Sequence, residues 1–208
     1  DHAQTTEPAM DGDDPGGAAA AGDGAHRHGH PSRPPYQERY AAAGTEAQEA
    51  ADALLAGVRA TLADYADVDA AVAAGFQPPR NPRGSIEHYL APAAAREGNV
   101  LDPARPNGLV YYTGGGGDPV LLGAFFIAPR ATPAPTPAGD LVVWHSHNPS
   151  CPDFFATASE PCTDVRRMLH VWTVDQVEMV APRTGQPLQV RVTDPFGAPF
   201  RASVARAG

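Results

Sequence analysis

The chain has 208 residues, 42% of them apolar, and a formal net charge of −9. That length suits one good-sized domain, or a smaller one with tails. Its fifteen basic residues are all arginine and are scattered, with no basic stripe to neutralise phosphates; this argues against nucleic acid as a partner, and an anionic membrane surface would repel the chain.

No apolar run approaches the roughly 20 residues needed to span a bilayer. The sequence begins at Asp1 with a polar stretch, which suits an exported protein whose targeting segment has been removed. Residues 1–35 read as a disordered tail. Gly16-Gly17, Ala18 to Ala21, several aspartates and Pro31, Pro34 and Pro35 offer nothing that could offset the entropy of ordering. Within the tail, His26-Arg27-His28-Gly29-His30 is a short histidine tract of a kind that collects metal ions loosely. The only cysteines, Cys151 and Cys162, are close in sequence among Pro, Asp, Ser and Thr, and pairing is expected outside the cytoplasm.

The spacing predicts helix from Tyr36 to Phe76. Leu54, Leu55, Val58, Leu62, Tyr65, Val68 and Val72 recur three and four apart and so share one face, while alanine favours helix elsewhere. A break is expected at Tyr65-Ala66-Asp67, where Asp67 can cap a second helix. Gly75 is a natural stop, reinforced by Pro78-Pro79. The apolar stripe is narrow, so the helices must pack on another layer.

Strands supply that layer. Candidates are Ser85 to Leu90, Gly108 to Tyr112, Val120 to Ile127, Leu141 to His147, Met168 to Val174, and Gln186 to Thr193 as the last. Val120 to Ile127 is apolar on both faces, which implies a central, doubly covered position. Strands joined without intervening helices should pair antiparallel. The expected architecture is α+β: N-terminal helices packed on a compact antiparallel sheet or partial barrel, forming one domain over residues 36–208.

The chemistry centres on Leu141-Val142-Val143-Trp144-His145-Ser146-His147. On a strand, side chains two apart share a face, so His145 and His147 would lie side by side, with Leu141 and Val143 as an apolar floor and Trp144 turned away. Imidazoles at that spacing can converge on one ion about 2.0–2.1 Å from each nitrogen. Outside the tail the other histidines are His88 and His170, each in a predicted strand, and these are the candidate third and fourth ligands. A histidine set suits Zn²⁺ or Cu²⁺ and not Ca²⁺ or Mg²⁺, which prefer oxygen; the sequence does not separate the two metals. Glu87, Asp153, Glu160, Asp164, Asp175 and Glu178 are the acids near these strands, and each is expected as a solvated surface acid. Glu87 should point away from His88. The Gly114 to Gly117 run precedes a strand and not a helix, so it is no phosphate loop.

The His-x-His resembles part of the first motif of the cupins. That motif carries a glutamate a few residues on, where this chain has Asn148-Pro149-Ser150-Cys151 and no acid before Asp153. A longer likeness covers residues 60–128. Ala60 to Phe76, His88-Tyr89 and Leu101-Asp102-Pro103-Ala104-Arg105-Pro106-Asn107-Gly108-Leu109-Val110-Tyr111 resemble a group of exported bacterial proteins of unassigned function. In that group a short helix ending in Gly-Tyr leads to Gly-x-His-Tyr, and an Asp-Pro-x-x-Pro turn leads into a Leu-Val-Tyr strand. This chain has Phe76 and a longer Gly84-to-His88 spacing. The resemblance implies export and the helix-then-sheet order, with no activity attached.

Three functions are therefore carried forward. One is an exported protein that binds one transition-metal ion through His145, His147, His170 and His88, for binding, storage or delivery. Another is a metal-dependent enzyme, hydrolytic in type, in which a loop acid serves as base to a metal-activated water. The last is a non-metal exported interaction domain with packed histidines.

Overall fold

The computed structural model describes residues 33–80, 86–92, 100–113, 118–129, 133–145, 167–180, 187–197 and 202–206; for 176–180, 187–190 and 202–206 only the backbone is described. The tail histidines, His147, both cysteines and the acids between them lie outside these residues.

Three helices lead: α1 (Tyr36–Ala42), α2 (Thr45–Leu62) and α3 (Val68–Ala73). Gly44 starts α2 without a side-chain cap, whereas Asp67 caps α3 by accepting a hydrogen bond from Asp69 N. The α3 terminus is a Schellman motif. Gly75 N–H donates to Val72 O and Phe76 N–H to Ala71 O, with Gly75 at φ +95°, and Phe76 and Ala71 enter the same apolar cluster. α2 buries Ala51, Leu54, Val58 and Leu62, as its stripe predicts. Val72 departs from that stripe: it is 45% exposed, and Ala71 is buried instead. The 3₁₀ turn at Ala63–Tyr65 and the new cap at Asp67 reset the helical phase, so α3 does not continue the face of α2.

Four strands follow as an antiparallel meander: β1 (Ile86–Leu90), β2 (Gly108–Tyr112), β3 (Val120–Ala128) and β4 (Arg167–Trp172), in the order β1-β2-β3-β4. β3 is interior and covered on both faces, as expected. The protein is thus α+β, with helices laid on an antiparallel sheet. Strand parity divides the sheet between two cores. Tyr89, Leu109, Tyr111, Ala124, Phe126, Leu169 and Val171 face the helices. Ala124 and Ala128, both fully buried, are small enough for helices to approach β3 closely. Ile86, Val110, Tyr112, Phe125, Met168 and Trp172 form the cluster on the other face. A second antiparallel sheet joins β5 (Gln176–Val180), β6 (Pro187–Val192) and β7 (Ala202–Arg206). β6 corresponds to the expected last strand, whereas β5 and β7 have no counterpart among the expected strands.

Over its described residues, 141–145, the stretch from Leu141 to His147 does not form the strand expected of it. Gly139–Leu141 is a 3₁₀ turn, and among the described residues after it His145 makes an antiparallel bridge to Met168. Leu141 and Val142 join Trp144 in the helix-side core. Leu141 is therefore not the floor of a histidine site. The turn puts it in the helix-side core.

Candidate metal centre

His88, His145 and His170 come from positions distant in the chain and meet on the sheet face away from the helices. His170 sits in β4 opposite Phe125 of β3, and His145 is bridged to Met168, two residues before it on the same face. The His145 and His170 rings stack with centroids 4.9 Å apart and planes 29° apart. On the other flank of His170 the Trp172 ring stacks at 4.8 Å and 19°. The result is a column of three rings, His145, His170 and Trp172. His145 is 3% exposed and His170 1%, and the Nδ1 atoms of both are buried.

His88 arrives from the opposite edge. Its Nε2 lies 2.9 Å from Nε2 of His170. In a flat sheet β1 and β4, three strand spacings apart, would be separated by about 14 Å, too far for two imidazoles to touch. The sheet must curl, with the histidine face concave. Two features permit it. The β2–β3 register shifts between Val110 and Tyr111, a bulge that adds twist and bend. Gly108 leaves room for Phe125: a Cβ there would lie 2.4 Å from two atoms of the Phe125 ring. Phe125 thus lies across Gly108, and His88 packs edge-on against that ring at 5.1 Å.

The sequence expectations for the site meet different outcomes. His88, His145 and His170 are brought together, and His147 lies outside the described residues. His145 and Trp144 do face opposite sides, since Trp144 belongs to the helix-side core and donates its indole N–H to Pro135 O. Glu87 does point away from His88, being paired with Tyr111 on the other face. It is not a solvated acid, however: it is 5% exposed, because the helices cover that face. Asp175 is a surface acid, 90% exposed at its side chain and paired with Arg59 at 2.6 Å.

Among the described residues, no group of three or more His, Cys, Asp or Glu side chains is arranged to hold an ion as it stands. Two nitrogens on one tetrahedral ion sit about 3.3 Å apart when each is about 2.0–2.1 Å from the metal. His88 and His170 would have to part by about 0.4 Å, and His145 to turn out of its stack, for all three to bind. Trp172 was missed in the sequence reading. Its signal was there, because a residue two beyond His170 on a strand must share its face.

No family model matches the chain, and neither a curated protein nor a solved structure matches it. Among the described residues no helix is long and apolar enough to cross a membrane.

Proposed function

We propose that this is an exported protein that binds one transition-metal ion, Zn²⁺ or Cu²⁺, through His88, His170 and His145, with His147 as a fourth ligand, and that its role is metal binding, storage or delivery. The observation that supports this most is the 2.9 Å approach of two Nε2 atoms from residues 82 apart in sequence. A neutral imidazole has no charge to strip of water, and when several converge on an apolar wall their lone pairs suit a borderline-soft cation. Phe125 and Trp172 would form the dry surround that limits water access and strengthens binding. His88 is only partly buried, so an ion would enter on its side.

The same distance is also that of an N–H···N hydrogen bond, which favours a second reading in which three neutral histidines are packed without an ion. The hydrolytic reading gains no support from Glu87 or Asp175, one on the far face and the other on the surface.

The test is metal analysis of the full chain with His26, His28 and His30 changed to alanine, purified without a metal-affinity column. Close to one Zn or Cu per chain is expected, falling to less than a tenth in His88→Ala/His170→Ala. Absence of stoichiometric metal in a folded preparation, after incubation with either ion, would overturn the proposal in favour of packed histidines.

A further inference from the structure

We infer that Arg39 is a positioning residue of the histidine site, holding both ends of the His145–His170–Trp172 column from the helix side of the protein. The inference rests on the reading that His145 is one of the metal's ligands. Arg39 is the one buried residue of α1, and its guanidinium is spent on three separate segments. Nε donates to Pro34 O at 3.2 Å, Nη1 to Asp140 O at 2.5 Å and Leu141 O at 3.3 Å, and Nη2 to Asp194 Oδ2 at 2.5 Å. Arg33 also donates to Asp140 O.

Each of the two distant segments ends at the column. Asp140 and Leu141 belong to the 3₁₀ turn that delivers His145 four residues later. Between them lie Val142, Val143 and Trp144, all buried, and His145 itself is held to β4 by a reciprocal pair of hydrogen bonds with Met168. The turn leads into that bridge through these buried residues, and Arg39 holds the turn by its carbonyls. On the other side, Asp194 opens a tight turn. Its Oδ1 accepts from Phe196 N at 3.0 Å, and Phe196 packs its ring against Tyr36 of α1. That turn grips Trp172 twice: Trp172 N–H donates to Pro195 O and its indole N–H to Gly197 O. Trp172 in turn stacks on His170. One planar cation thus couples the segment that aims His145 to the segment that backs His170.

Arginine suits this role because its fixed fork of donors can hold several acceptors at once, whereas lysine is a point charge on a flexible stem. Arg39→Lys keeps the charge opposite Asp194 and gives up the simultaneous hold on the turn carbonyls. Supporting residues behind metal ligands typically change affinity by 10–100-fold, and Arg33 shares the Asp140 carbonyl, so the lower end is expected.

The experiment is a double-mutant cycle on the full chain with His26, His28 and His30 changed to alanine. Zn²⁺ affinity is measured by chelator competition for the parent, Arg39→Lys, His145→Ala and the double variant. Residues that act through one another show losses that do not multiply. Arg39→Lys is expected to weaken Zn²⁺ binding about tenfold in the parent, and less than twofold once His145 is gone. Asp194→Asn, which keeps an acceptor for Phe196 N, is a second variant expected to lose affinity in the same direction. An unchanged affinity in both variants overturns the inference. So does a tenfold loss that persists without His145, since that would be a general effect on the fold. A parent that binds neither Zn²⁺ nor Cu²⁺ removes the underlying site, an outcome distinct from a binding parent with independent losses.

Discussion

Gly108→Ala is the substitution that most directly tests how the sheet curls to bring His88 to His170. A Cβ at this position would lie 2.3 Å from Tyr89 O and 2.4 Å from both Cε1 and Cζ of Phe125. To restore ordinary contact the Phe125 ring would have to retreat by about 1 Å, yet it is fully buried and already abuts His88. The Tyr89 carbonyl cannot rotate aside without disturbing β1, which pairs with β2 at this very residue. Overpacking of a filled core costs about 1–3 kcal/mol. With a backbone atom and an aromatic ring both in collision, the upper end applies, about 3 kcal/mol. That is about a hundredfold in the folding equilibrium at roughly 1.4 kcal/mol per factor of ten. For a urea slope of about 2 kcal/mol per molar, the midpoint should fall by about 1.5 M. The buried Trp144 and Trp172 report the transition by fluorescence. Adding Phe125→Leu should recover less than half of the loss, because the Tyr89 carbonyl remains in the way. A midpoint shift under about 0.3 M, or complete rescue by the second change, would refute the account.

Asp67→Ala removes the only side-chain cap found on the three helices and should cost about 1 kcal/mol in denaturant unfolding; no change would mean α3 is held by packing alone. Gly44→Ser supplies the missing cap at the start of α2, where the backbone is already extended at φ −69°, ψ 157°, and should raise stability by a few tenths of a kcal/mol. Alkaline pH should unfold the protein early. Burial, with Asp52 next, pushes the Tyr36 hydroxyl up to about 12. Burial also pushes Tyr111 up, and its hydroxyl donates to Tyr65 O. The fold favours the neutral phenols, so their contribution is whole below the ordinary phenol value of about 10 and is lost as pH rises through about 12. The midpoint temperature should therefore fall between pH 10 and 12, and less steeply in Tyr111→Phe; identical slopes would exclude Tyr111 as a cause.

Much of the fold was legible because its signals are local. The α2 stripe, the Asp67 cap and the Gly75 stop each act within a turn or two. β2 and β3 announce themselves as apolar runs on either side of a glycine-rich stretch of sequence. The errors fall where a distant contact decides. Nothing within Leu141 to Val143 says that a 3₁₀ turn will replace a strand; Arg39, about a hundred residues earlier, holds the carbonyls of that turn. Glu87 looked like a surface acid because an isolated glutamate usually is one, and only the helix layer above it makes it buried. At the site, parity correctly placed His88 opposite to Glu87 and His145 opposite to Trp144. That His88 would reach His170 across two intervening strands depends on Gly108 and on a register shift, neither of which a single strand's pattern encodes.

The position of the histidines has a consequence for how an ion would act on the protein. His88 belongs to one edge strand of the meander, while His145 is bridged to the far side of β4. An ion held by His88, His170 and His145 would tie together the two edges of a curled sheet, in place of the direct approach of His88 to His170. Binding to the folded state alone stabilises it by an amount that grows with the logarithm of ion concentration, about 2.7 kcal/mol at a hundred times the dissociation constant. The gain should appear first as slower opening of β1, the strand whose partly exposed histidine the ion must pass. Backbone amides of Ile86 to Leu90 are therefore the place where hydrogen exchange separates a metal site from a packed histidine pair. Protection there should rise on adding Zn²⁺, and it should not rise in His170→Ala.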